Sequence, residues 1–291
     1  MWMVIDNNGS QFKYNYLQEK TILNSNLNTE HNFFSNKKKF LFQPSLNYWH
    51  FIYDFIGQIL LIGKDEGYED TEFIIVIDNT LTPKTKILPF LTDFFKTIGL
   101  NNYHILGNDQ IFSINSFYNV HSQLPPSTPV HNLIYEAFLK SYPTNIEAPQ
   151  KMVYVSRSKA GVNKIDKEIK LENFFKEKGF EILSREFFDK NTLIDDIKYF
   201  RDVKILAGLS GAGLTNAIFM QPGNMVIEIA IPQITHVAEE EDLYPNKRVI
   251  ARHLFHPASS FIKDHTHIQI AVNDNNPDNV INKINKLGIL E

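Results

Sequence analysis

Residues 47–62 are the clearest periodic stretch of the chain: Ile52, Phe55, Ile56, Ile59 and Leu60 recur at helical spacing and form one apolar stripe. At about 3.6 residues per turn, His50, Asp54, Gly57 and Leu61 fall on the opposite side. His50 and Asp54 are four apart, so their side chains can meet, and spacing alone favours an ordinary ion pair on a solvent face over a site. Thr71–Ile77, TEFIIVI, is a continuous apolar run, the pattern of a strand buried on both faces. Residues 85–98 read as a helix with Gly99 as its C-cap, and residues 103–106 and 111–115 as short strands. Upstream, residues 2–5 and 11–16 flank the turn signal Asn7-Asn8-Gly9 as the arms of a hairpin would. Lys37-Lys38-Lys39 reads as a solvated loop, and residues 40–42 as a short strand.

The second half alternates more regularly. Strands are expected at residues 151–156, 180–183, 204–207, 225–229 and 268–272. Helices are expected at residues 168–178 (closed by Gly179), 192–200, 214–220 and 278–287. Between the halves lie an extended breaker at residues 124–129, a helix at 131–141 and a turn-rich linker at 143–149. Strand–helix alternation predicts an α/β fold with parallel sheets covered on both faces. The expected architecture is two Rossmann-like domains facing a cleft, residues 1–145 and 146–291. The last helix is a candidate to pack back on the first domain.

Residues 204–229, KILAGLSGAGLTNAIFMQPGNMVIEI, read as strand, glycine-rich turn, short helix, turn, strand. Gly208, Gly211 and Gly213 let the backbone approach a ligand where a Cβ would clash. A strand feeding a helix N-terminus through small residues makes an anion site, here a candidate for the diphosphate of a nucleotide. The same glycines could equally serve packing alone. Two motifs fit in part. Gly211 and Gly213 match the dinucleotide fingerprint, but Asn216 stands where its third glycine belongs. Gly208 and Ser210 match a nucleophile elbow, but Ala212 replaces its last glycine. Ligands of such sheets bind outside the carboxyl ends of the strands, which brings in Arg157 and Glu228. A guanidinium suits phosphate oxygens, and a carboxylate suits ribose hydroxyls. Glu228 stands among Val226, Ile227 and Ile229, so if buried it needs a ligand or an intramolecular donor. Thr215 and Asn216 could simply cap the helix start.

Composition narrows these options. Of 291 residues 43% are apolar, enough for full cores, and the net charge is −4. That balance does not suggest a nucleic-acid binder, so any anion site must be local. There is no cysteine, which excludes disulfides and thiolate-ligated metals and is compatible with a reducing compartment. His236, His253, His256, His265 and His267 are irregularly spaced. The pair at 265 and 267 would share one strand face, but no carboxylate–histidine set converges on it, and no metal is expected. The longest apolar candidate, residues 51–62, is interrupted by Asp54, Gly57 and Gln58 and falls short of the about 18 residues a membrane span needs. The N-terminus lacks the basic start and apolar core of a signal peptide. A soluble, cytoplasmic protein is expected, with a peripheral place at the inner membrane surface left open.

NYWHFIYD, VYVSR, GFEIL, SGAGLTNAIF and VIEI follow one another in that order. In this the chain resembles glycosyltransferase family 61, over roughly residues 47–229. That family holds some bacterial capsular-polysaccharide enzymes, plant xylosyltransferases and animal O-linked N-acetylglucosaminyltransferases. The resemblance implies a GT-B-like fold and an inverting, metal-independent transferase without a cofactor. It would move a sugar from a nucleotide sugar, with UDP expected, to a glycan or lipid-linked glycan acceptor in bacterial surface-polysaccharide synthesis. It implies His50 and Asp54 as the catalytic pair, base and orienting group in either order. It implies a donor site of Arg157, following Ser156, with Ser210, Gly211, Ala212, Gly213, Leu214, Thr215, Asn216 and Glu228. Two features depart from the family. Ser210 stands where many relatives carry histidine. Asn163-Lys164-Ile165-Asp166 stands where many carry a second arginine and then Asn-Glu, leaving Lys159 or Lys164 to supply the missing charge. Two other readings are an α/β serine hydrolase using Ser210 with Asp242 and His253 or His256, and a non-catalytic nucleotide-sugar-binding protein.

Overall fold

The computed structural model describes residues 3–5, 11–13, 30–33, 35–44, 48–77, 84–107, 111–114, 118–120, 128–143, 147–158, 168–230, 265–272 and 276–290. The expected turn at Asn7-Asn8-Gly9, Lys159, the 163–166 stretch, His236, Asp242, His253 and His256 lie outside these residues. The chain divides into two units, Met1–Leu124 and Pro125–Glu291.

The first unit runs β1 (Met3–Ile5), β2 (Gln11–Lys13), β3 (Glu30–Phe33), β4 (Lys38–Phe42), helix α1, β5 (Thr71–Ile77), α2 (Lys84–Ile98), β6 (Tyr103–Gly107), β7 (Ile111–Ile114) and β8 (Tyr118–Val120). Helix α1 is wound as a π-helix over His50–Ile56 and as an α-helix over Gly57–Glu66. Strands β1 and β2 pair antiparallel with Met3 opposite Lys13, as the hairpin pattern predicts. They extend into a sheet of order β2-β1-β7-β3. The other four-stranded sheet, of order β6-β5-β4-β8, is parallel throughout. Parallel neighbours need crossovers, which α1 and α2 supply. Strand β5 is buried along nearly its whole length, which is why its apolar run is unbroken. Phe73 on it stacks against Phe40 and Phe42 of β4.

The lysine run departs from expectation. Strand β4 starts at Lys38, and Lys39 is buried, its ammonium donating to the carbonyls of Ser35 and Lys37. A long stem can bury while its charged tip bonds to backbone, and a count of charges along the chain does not reveal that.

The second unit runs α3 (Thr128–Ser141), β9 (Lys151–Val155), α4 (Ile169–Glu177), β10 (Glu181–Leu183), α5 (Arg185–Lys190), α6 (Leu193–Phe200), β11 (Val203–Leu209), the 3-10 helix α7 (Ala212–Phe219), β12 (Met225–Ala230), β13 (Thr266–Ala271) and α8 (Pro277–Leu287). Its sheet, β10-β9-β11-β12-β13, is parallel throughout. Counted within the unit the strand order is 2-1-3-4-5, a doubly wound order. One face carries the main core, with Tyr154, Phe175, Phe180, Ile227, Ile229, Val280 and Ile284 buried together. Helix α3, which the expected boundary leaves with the first domain, packs here through Phe138, edge-on to Phe219 at 5.0 Å. Helix α8, the candidate to pack back on the first domain, lies against α4 and β13 of its own unit, tied by Lys170 to Asp278 at 2.8 Å.

Candidate functional site

In the second unit, β9 connects outward to β10, while the chain returns through β11 on the other side of β9. The connections therefore diverge between β9 and β11, and at the carboxyl edge this opens the crevice where ligands of such sheets bind. Two segments meet there. Arg157 follows β9, and residues 210–213 follow β11. Arg157 Nη1 donates to the Ser210 carbonyl at 2.9 Å. Gly211 has φ 153°, and a Cβ there would lie 1.9 Å from Arg157 Nη1. A Cβ on Gly213 would lie 2.7 Å from Val155 Cγ1. Of the two uses that the sequence leaves open for these glycines, packing is the one these contacts show. Gly213 lets the turn pack on β9, and Gly211 makes room for a guanidinium.

The helix expected at 214–220 is the 3-10 helix α7, beginning two residues earlier. Its first internal bond runs from the Leu214 N–H to the Gly211 carbonyl, 3.0 Å. The N–H groups of Gly211, Ala212 and Gly213 lie ahead of that ladder, and Gly211 lies against Arg157. The helix has no side-chain cap. Asn216 instead donates to the Gly213 carbonyl, and the buried Thr215 hydroxyl has no hydrogen-bond partner among the described residues. Burial lowers the pKa of Arg157, with nearby Glu168 opposing. The group stays a cation, since an arginine cannot be deprotonated in a protein.

Glu168, just ahead of α4, is a residue that pattern reading passes over. It is 3% exposed, and its Oε1 accepts from both the Arg157 backbone N–H and the Tyr154 hydroxyl at 2.9 Å. Burial pushes its pKa up from 4.5, with the two donors opposing, and its Oε2 has no hydrogen-bond partner among the described residues. An acid at a helix start reads as an ordinary partner of the helix dipole, so the sequence carries no special signal for it.

Glu228 is 2% exposed. Its Oε1 accepts from the Ser210 hydroxyl, and its Oε2 lies 2.9 Å from His267 Nε2 and 3.4 Å from Gln269 Nε2. Its partners are therefore intramolecular, one of the two alternatives open from the sequence. Val226 pairs with His267 and Glu228 with Gln269 across β12 and β13, so side-chain alternation brings these polar groups to one face and the isoleucines to the other. His265, the other ring of the late pair, bonds instead to the Asn224 carbonyl at 3.1 Å. Among the described residues, no group of three or more His, Asp or Glu side chains could hold a metal ion. The serine-hydrolase reading needs a histidine at the serine hydroxyl. Here the carboxylate stands there, and His267 lies beyond it.

In the first unit the parallel order reverses between β4 and β8. Helix α1 leaves β4, so its first turns begin at that sheet's carboxyl edge. His50 Nδ1 and Asp54 Oδ2 are 2.6 Å apart, with side chains 30% and 13% exposed. Ile52, Phe55, Ile56, Ile59 and Leu60 are all buried, as the stripe predicts. The π-winding under His50 and Asp54 was not legible. Such windings are rare and occur frequently at functional sites.

A family profile described as Glycosyltransferase 61 matches residues 48–227. The match takes in His50, Asp54, Arg157 and the whole glycine turn, and stops one residue short of Glu228. Among solved structures, E. coli heptosyltransferase WaaC with ADP aligns at 6% identity and a TM-score of 0.39, covering 87% of this chain and 100% of that one. At that distance it carries no residue assignment. No curated protein sequence matches the chain.

The arrangement around Ser210 predicts that a fluorophosphonate probe leaves it unlabelled in intact-mass analysis, and stoichiometric labelling would contradict the geometry. Glu168 gives a pH prediction. Its folded pKa is raised, so its neutral form is stabilising below the ordinary value of 4.5, and that contribution is lost as pH rises through the folded pKa. Glu168→Gln keeps an acceptor for Arg157 and Tyr154 without the buried charge. Its melting temperature relative to wild type should be higher at pH 7 than at pH 4; a difference independent of pH would contradict this.

Proposed function

The chain belongs to glycosyltransferase family 61, and from that premise we propose an inverting transfer of a sugar from a nucleotide sugar, with UDP as the nucleotide, to a hydroxyl of a glycan or lipid-linked glycan. One observation supports the donor side above others: Arg157 is bonded to the Ser210 carbonyl at the switch point of the second unit's sheet. The leaving nucleoside diphosphate gathers negative charge. Donors fixed in advance, here the guanidinium and the N–H groups of Gly211, Ala212 and Gly213, stabilise it without reorganising. Leu214, Thr215 and Asn216 continue the turn. Glu228 serves the same site by holding Ser210, and in this reading it is the support of the turn first and a ribose contact second. With these donors present, no divalent ion is required.

The proton step belongs to the first unit. Asp54 faces His50 Nδ1, so His50 keeps that proton and offers Nε2 as the base, while the carboxylate steadies the imidazolium that forms. The acceptor hydroxyl gives its proton to Nε2 and its oxygen attacks the anomeric carbon. The bond from that carbon to the diphosphate breaks, and its electron pair leaves with the diphosphate. The proposed setting is bacterial surface-polysaccharide assembly on the cytoplasmic side. Among the described residues, no helix is long and apolar enough to cross a membrane.

Two measurements test this reading. In a transfer assay with a panel of UDP-sugars, His50→Ala and Asp54→Asn should each lower kcat by about 10²-fold or more; wild-type turnover in both would remove the assignment. Arg157→Ala should weaken UDP binding about tenfold or more in isothermal titration, and unchanged affinity would count against its role.

A further inference from the structure

Resting on the donor site proposed above, we infer that His267 is a positioning residue for the diphosphate, acting through Glu228 and Ser210 rather than on the ligand. A single run of contacts carries this. His267 Nε2 lies 2.9 Å from Glu228 Oε2, and Glu228 Oε1 accepts the Ser210 hydroxyl. The Ser210 carbonyl then accepts from Arg157 Nη1 at 2.9 Å. Ser210 is thereby held three times, from β12 by Glu228 at its hydroxyl and by the Ile229 carbonyl at its N–H, and from the end of β9 by Arg157 at its carbonyl. The next three residues present the N–H groups of the anion site.

The strand register explains why a histidine at 267 can do this. Parallel pairing sets Val226 beside His267 and Glu228 beside Gln269. His267 and Glu228 therefore share a face as diagonal neighbours, within reach of a ring and a long carboxylate. Glu228 is 2% exposed, and water cannot take the place of a lost partner there. Without the imidazole, Oε2 keeps, among the described residues, Gln269 at 3.4 Å. The carboxylate then turns toward another donor, and its hold on Ser210 weakens. The loss falls on diphosphate binding. The proton step, assigned to His50 and Asp54 of the other unit, is not involved.

A double-mutant cycle tests the inference with UDP as the probe. His267→Leu, Ser210→Ala and the double variant are compared with wild type by isothermal titration, with thermal unfolding measured in parallel. Each single change should raise the UDP dissociation constant about tenfold, the worth of one hydrogen bond to a charged group. The double variant should lose no more than either alone, because both cut the same connection. His267→Gln, a neutral donor of similar reach, should restore affinity to within about threefold of wild type. Additive losses overturn the inference, and so does a His267→Leu protein that melts lower yet binds UDP as wild type does. Should His267→Leu not fold, His267→Gln is set against His267→Asn, whose amide is one methylene shorter; equal UDP affinity in the two overturns the inference. A wild-type protein that binds no UDP overturns the donor reading beneath it, and this inference with it. A wild type that binds while the variants bind equally well overturns this inference alone.

Discussion

The contact between the Arg157 guanidinium and the Ser210 carbonyl is the constraint the second unit is built to allow. It brings a cation from the end of β9 against the backbone that leaves β11. Gly211 must then carry no side chain, because a Cβ would occupy the guanidinium's place. Gly213 must carry none either, because the turn lies on Val155. Strand order dictates where this happens. Among the described strands of this unit the connections part between β9 and β11, so there two strand ends can offer donors to one ligand without a crossing loop above them.

Two buried carboxyl groups hold this contact, one for each arm. Glu168 takes the backbone N–H of Arg157, and Glu228 takes the hydroxyl of Ser210. Neither reaches bulk water, and each is tied by a second neutral or ionisable donor, Tyr154 in one case and His267 in the other. A site meant to bind an anion would be weakened by exposed carboxylates. Turned inward, the same groups orient Arg157 and Ser210, as the proposed donor site requires. Preorganisation of this kind lets hydrogen bonds act on developing charge without first being rearranged.

Much of this was legible in the chain, and the remainder failed for identifiable reasons. Apolar periodicity placed β5, the α1 stripe and the alternation of the second unit, because burial on a face imposes a period. The glycine turn and Arg157 were legible as a pair, since strand ends and glycines mark sites of close approach. Glu168 and His267 were not. Their roles depend on which strands become neighbours and in what register, and a single chain does not write that down. The buried Lys39 and the π-winding under His50 escaped for a related reason. Charge runs and i,i+4 spacing look the same whether a segment is solvated or packed, α-wound or π-wound. The expected boundary between residues 145 and 146 and the division at Leu124–Pro125 differ by helix α3, whose Phe138 packs on Phe219.

The central claim is that the divergence point of the second sheet receives a nucleoside diphosphate on Arg157 and the turn. A crystal structure of the protein soaked with UDP tests it most directly. The account predicts the diphosphate oxygens within hydrogen-bond distance of the Arg157 guanidinium and of the N–H groups of Gly211–Gly213. Density for UDP elsewhere on the molecule, with this crevice empty, would contradict it.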